Sequence, residues 1–153
     1  MLAAAPAAIF AQKYGATVQV ADKGELSVAK TYVWTTSHPS LIKSVDAQIR
    51  GAVDRELAAL GFTKVETGEA DVEATYASVS RLDGDVKSKT PDDKVALQPV
   101  GTIVFDLVSK ATRKPVYRVR VDAPINAESA KNEAIINQAV AALFEQYPTR
   151  ASK

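Results

Sequence analysis

The sequence contains no cysteine. That excludes disulfides, thiolate metal sites and a thiol nucleophile. It contains one histidine, His38, which excludes a multi-histidine metal centre. It has no excess of charge of either sign: 19 lysines and arginines against 18 acidic residues leave +1. No net field gathers nucleic acid or an anionic membrane surface. No apolar run reaches the roughly 20 residues that a transmembrane helix needs. Glycine-rich phosphate loops, nucleophile elbows and zinc signatures are also missing. What is present is a 153-residue chain, 46% hydrophobic and 24% charged, a balance that describes one folded domain rather than a disordered segment.

Leu2–Ala11 are apolar and uncharged. The run is too short to span a bilayer but matches the hydrophobic region of a secretory signal. Small residues near Ala11, followed by Gln12, suit a cleavage site. Ile9 is larger than usual for its place, and no positive charge precedes the run. Residues 1–12 are read as a signal-peptide remnant, 13–148 as one domain and 149–153 as a polar tail. The implied address is periplasmic or secreted, in a bacterial envelope.

Ala16–Val20 alternates as a strand does, and Asp22-Lys23-Gly24 reads as a turn. Lys30–Thr35 is a second strand. Ser37-His38-Pro39-Ser40 offers a helix start. Ile42, Val45, Ile49, Val53, Leu57 and Leu60 then recur at helical spacing, with Lys43, Asp46, Arg50, Asp54 and Arg55 off that stripe. Gly61 is placed to end the helix. Asp71–Ser80 reads as a strand. Arg81–Pro99, with two prolines and four aspartates, reads as a long exposed loop. Val100–Val108 and Pro115–Asp122 alternate across a short polar connector, predicting a hairpin. A centre near Thr112 sets Phe105 against Val119, Leu107 against Tyr117 and Asp106 against Arg118. A slip of one residue would bury the arginines. A second amphipathic helix is expected over about Ala127–Tyr147, ended by Pro148.

The order ββαβββα predicts an α+β fold. It is expected to be a two-layer sandwich, with about five largely antiparallel strands and two helices on one face.

Several segments, taken in order, resemble the bacterial envelope family catalogued as domain of unknown function 4136. They are Thr31-Tyr32-Val33-Trp34, then Leu57-Ala58-Ala59-Leu60-Gly61-Phe62, then Ala70-Asp71-Val72 with Tyr76. Gly101–Val108, Pro115-Val116-Tyr117-Arg118 and Leu143–Pro148 complete the set. The resemblance covers roughly residues 17–148. It implies a small secreted protein or lipoprotein, and it carries over no catalytic residue. Many members carry a lipidated cysteine that is absent here, and tryptophan often stands where this chain has Tyr117.

The residues themselves offer modest candidates. Asp106, Arg118 and Arg120 on the outer sheet face, with Asp83 and Asp85 in the Arg81–Pro99 loop, form a candidate interaction surface for a protein partner or envelope component. Trp34, Tyr76 and Tyr117 are the candidate lining of a ligand pocket between helices and sheet, the first alternative. Asp71 with Asp106 is the second, a carboxylate-dependent hydrolase, which would need two carboxyl groups about 5–10 Å apart. His38 reads as a helix-cap or surface residue. Asp83, Asp85, Asp92 and Asp93 match no calcium-loop spacing. The expectation is a non-enzymatic envelope protein with no cofactor, no metal and no nucleic-acid partner. An open sheet edge leaves self-association available.

The first prediction concerns the leader. Expressed from its full reading frame in its host, the protein is expected in the envelope fraction with a mature N-terminus near Gln12 by mass spectrometry. An uncleaved cytoplasmic chain would remove the address.

Overall fold

A computed structural model describes residues 15–35, 38–40, 43–66, 68–84, 97–123 and 129–148. The leader, Ser37, Ile42, Asp85, Asp92, Asp93 and the tail from Thr149 lie outside the described residues.

Described residues form nine elements: β1 (Thr17–Ala21), α1 (Lys23–Val28), β2 (Thr31–Trp34), α2 (Lys43–Ala59), β3 (Thr63–Lys64), β4 (Val72–Gly84), β5 (Leu97–Ser109), β6 (Pro115–Ala123) and α3 (Ser129–Phe144). The strands make one six-stranded sheet in the order β1-β6-β5-β4-β2-β3. The β1–β6, β6–β5 and β5–β4 pairs are antiparallel, whereas β2 runs parallel to both β4 and β3. The α+β class agrees with the sequence expectation. The element count does not: one strand and one helix are additional.

The hairpin register is the one expected, with Phe105 opposite Val119, Leu107 opposite Tyr117 and Asp106 opposite Arg118. One face of the sheet therefore carries Val72, Ala74, Tyr76, Ile103, Phe105, Leu107, Tyr117, Val119 and Val121, all buried. Val45, Ile49, Val53 and Leu57 of α2 and Ile136, Ala139, Val140, Leu143 and Phe144 of α3 close over that face in a single core. Side chains on the other face, such as Asp106, Arg118 and Arg120, are half-buried.

Three expectations need correction. Asp22 does not sit in a turn. Its carboxylate accepts the Glu25 N–H at 3.1 Å and caps α1, a helix too short for periodicity to reveal. Second, β3 has only two exposed residues, Thr63 and Lys64, so no alternation marks it. It exists because β2 offers a free edge, with Thr63 N–H and Val65 N–H donating to Lys30 and Tyr32 carbonyls at 2.8 and 2.9 Å.

Third, the two ends of the expected loop Arg81–Pro99, residues 81–84 and 97–99, are sheet, and residues 85–96 lie outside the described residues. The ladder continues through Arg81 opposite Val100, Leu82 opposite Pro99 and Gly84 opposite Leu97. Pro99 is tolerated for a geometric reason. Alternation along β5, phased by Ser109 N–H donating to Lys114, turns the odd positions toward β6. The β6 ladder ends at Gly101 opposite Ala123, so Pro99 lacks an N–H where, among the described residues, no partner strand is waiting.

The end of α2 follows the expected chemistry. Gly61 has φ +94°, Phe62 N–H reaches the Leu57 carbonyl at 2.9 Å, and Gly61 N–H reaches that of Ala58 at 3.0 Å. That pair of bonds is a Schellman cap, which favours glycine because of the positive φ. His38 is exposed and lies ahead of the helix, whose described residues start at Lys43. It forms a parallel bridge to Ala77, its carbonyl accepting from Ser78 N–H at 3.0 Å.

Asp71 clamps the parallel β2–β4 crossover. Its carboxylate accepts the N–H groups of Lys30 at 2.8 Å and Thr31 at 3.1 Å, and Thr31 Oγ1 accepts the Asp71 N–H at 2.9 Å. The Lys30 amide, followed by the Thr31 groups, holds this carboxyl below its ordinary pKa. Its contribution is complete above the unfolded-state value and is lost as pH falls through the lowered folded-state value. Asp71→Asn is therefore expected to destabilise the domain at neutral pH by about 1 kcal/mol, because the bonds are solvent-exposed. In urea unfolding across a pH series, the gap between the two proteins should close on acidification. A pH-independent gap would contradict this role for the charge.

Candidate functional site

Two polar regions stand on opposite faces of the sheet. The first lies where α2 meets β2 and β4. Asp46, Arg50 and Asp54 succeed one another at i, i+4 and i+8, so they share one side of the helix. The amphipathic stripe placed them outside, in solvent. Instead they point at the sheet's aromatic tips. Asp54 Oδ1 accepts from Tyr32 Oη at 2.7 Å and from Trp34 Nε1 at 2.8 Å, and Asp54 Oδ2 takes Lys64 Nζ at 3.2 Å. Asp46 accepts from Tyr76 Oη and from Arg50 Nε. The Arg50 guanidinium lies over the Trp34 ring at 4.9 Å and 6.0 Å from the Tyr76 ring, a cation–π arrangement.

The electrostatics follow from this packing. Burial, then the bond to Asp46, pushes the Tyr76 phenol up to about 12. Burial, then the bond to Asp54, raises the Tyr32 phenol as well. Both phenols remain neutral donors across the physiological range. This region holds helix to sheet, and sequence reasoning missed it. The i, i+4, i+8 row opposite a Tyr-x-Trp strand was the available signal.

Trp34, Tyr76 and Tyr117 do not converge on one point. Trp34 packs edge-on against Tyr76 at 6.3 Å and Phe105 at 6.5 Å. Phe105 meets Phe144 at 5.2 Å, and Phe144 meets Tyr117 at 6.2 Å. Tyr117 is fully buried, and its hydroxyl donates to the Leu143 carbonyl. Phe105 and Phe144 thus fill the space between the named rings. A shallow depression of about 210 Å³ does border Trp34, with Arg50, Lys64 and Glu66 on its rim, at the sheet edge rather than between the layers.

The second region is the sheet face away from α2 and α3. Arg118 grips Asp106 with two bonds, Nε at 2.7 Å and Nη2 at 3.2 Å. The Asp106 bond and charge raise the Arg118 guanidinium further. Arg120 pairs with Asp122 at 3.4 Å. Asp122 also accepts from Thr102, and Glu73 meets Arg113 at 3.7 Å. Register places Val20, Arg118, Asp106 and Thr75 in one row across four strands. Asp106, Arg118 and Arg120 are thus brought together as expected. Asp83 does not belong to a loop; it lies in β4 opposite Gln98. Asp71 and Asp106 do not converge. Asp106 faces Thr75, four residues along β4 from Asp71, roughly 13 Å of strand.

Among the described residues no group of three or more carboxylate or imidazole side chains is arranged to hold a metal. No described helix is long and apolar enough to cross a membrane.

The fold defines the class: a mixed-sheet α+β domain with one helix-covered face. The model of the family described as "Domain of unknown function (DUF4136)" matches residues 17–149, and the chain belongs to that family. No curated protein matches. Among solved structures, a PDZ domain protein from Parabacteroides distasonis is similar at 10% identity with a TM-score of 0.58, over 95% of this chain and 39% of that one. The PelC dodecamer from Paraburkholderia phytofirmans is similar at 12% identity with a TM-score of 0.50, over 84% of this chain and 96% of that one. A minor lipoprotein from Acinetobacter baumannii is similar at 12% identity with a TM-score of 0.47, over 78% and 92%. At these identities the likeness to the first two is one of fold.

Removing the α2 acceptor tests the first region. Asp54→Ala strands two aromatic donors and should cost about 2–3 kcal/mol. Urea unfolding followed by fluorescence of Trp34, the chain's single tryptophan, should show it. An unchanged midpoint would mean the hub is not stabilising.

Proposed function

We propose that this chain is a non-enzymatic bacterial envelope protein that works by binding a protein partner through the outer face of its sheet. The observation that carries the reading is the Arg118–Asp106 fork beside the Arg120–Asp122 pair, displayed on the face that α2 and α3 leave uncovered. Charges of both signs in fixed positions suit a protein surface of matching pattern, because such pairs set register and exclude wrong partners. A lone phosphate or nucleic acid would favour an excess of positive charge, which this face lacks. The envelope address rests on the apolar leader and on the resemblance to the family's secreted members.

A catalytic reading has less support. The carboxylates of Asp46, Asp54, Asp71 and Asp106 are each engaged by arginine, by aromatic donors or by backbone amides. A small-ligand reading draws on the depression beside Trp34, where Arg50 and Lys64 stand next to Glu66.

The test is affinity capture from envelope extract with wild type and with the double variant Arg118→Glu, Arg120→Glu. The wild type should enrich a discrete partner that the double variant loses by at least about tenfold, the equivalent of roughly 1.4 kcal/mol. Circular dichroism should show the variant folded. Equal capture by both would refute the surface assignment.

A further inference from the structure

Among the described residues, β4 and β5 run on past the rest of the sheet. On the β6 side the ladder stops at Gly101 opposite Ala123. On the other side β2 leaves β4 at Ala74, and the bridge from His38 to Ala77 is the last cover among the described residues. Beyond it, residues 80–84 and 97–100 form a two-stranded arm.

The arm's two edges differ. Pro99 interrupts the β5 edge. The β4 edge carries no such interruption. Ala74 accepts from Thr35, and Ser78 donates to His38, so the even positions of β4 turn their amides and carbonyls outward. The unbroken register to Gly84 extends this to Ser80, Leu82 and Gly84. Proteins usually guard such edges, and the other edges of this sheet are guarded: β1 is five residues long with a bulge between Val18 and Val20, and β3 is two residues long and contains Lys64.

The local sequence Ser80-Arg81-Leu82-Asp83-Gly84 is complementary to itself when reversed. A twofold axis at Leu82 sets position 80 against 84 and position 82 against 82 of the second copy. Those are the outward-facing positions, and they supply about six backbone hydrogen bonds. The same axis sets position 81 against 83 twice, arginine against aspartate on both sides. These are the non-hydrogen-bonded pairs, where opposed residues come closest. A generic extended peptide would satisfy the amides but has no reason to match both charges.

We propose that two copies of this chain pair antiparallel along the β4 edge, about a twofold axis at Leu82. The two sheets then continue as one across the dimer. The inference is independent of the partner-binding face.

Sedimentation equilibrium of the whole chain over a concentration series tests it. The wild type should dimerise. Arg81→Asp and Asp83→Arg each put like charges opposite one another twice, and each should weaken the dimer at least about tenfold. The double variant exchanges the charges and should restore it. Leu82→Pro removes the central amide and should give a monomer that circular dichroism shows folded. A wild type that stays monomeric overturns the proposal. So does a dimer indifferent to both charge variants. A monomer whose Ser80, Leu82 and Gly84 amides resist hydrogen exchange also overturns it, since the edge is then covered by the chain itself.

Discussion

Strand parity in β5 is the constraint on which the rest of this structure depends. Ile103, Phe105 and Leu107 are buried, while Asp106 between them is held by Arg118 on the outer face. A slip of one residue against β6 would turn one strand over relative to the other, driving either Asp106 or the pair Arg118 and Arg120 under the helices. Burying unpaired charge costs far more than any hairpin turn can supply. The penalty therefore selects one register, and that register builds both faces at once. The apolar face gathers α2 and α3; the polar face is the one that α2 and α3 leave uncovered.

The helix layer is tied down by polar bonds as well as by hydrophobic burial. Asp54 and Asp46 receive the hydroxyls of Tyr32 and Tyr76 and the Trp34 indole N–H. Each ring buries its body in the core and offers its tip to α2. This fixes the rotation and axial position of α2 over β2 and β4, which greasy contact alone would leave loose. The same arrangement occupies these carboxylates, so the aromatic richness around Trp34 is a structural feature.

The sheet's edges show a second economy. A short bulged strand, a two-residue strand with a lysine, and a proline each blunt one edge. Among the described residues, the extended β4 edge at Ser80, Leu82 and Gly84 has none of these devices.

Local pattern determined a large part of this. Periodicity located α2 and α3, Gly61 announced the cap, and alternation in residues 100–122 set the β5–β6 register down to Asp106 opposite Arg118. Those features are legible because each depends on neighbours a few residues away, or on parity, which is a property of the strand itself. Tertiary structure decided the rest. The two-residue β3 exists only because β2 has a free edge. The β4–β5 arm accommodates Pro99 because, among the described residues, the β6 ladder has already ended at Ala123. Asp46, Arg50 and Asp54 turn inward only because a sheet bearing Tyr32, Trp34 and Tyr76 lies beneath them. In each case the deciding partner is distant in sequence, and no local pattern encodes where a distant strand stops or which helix side it meets.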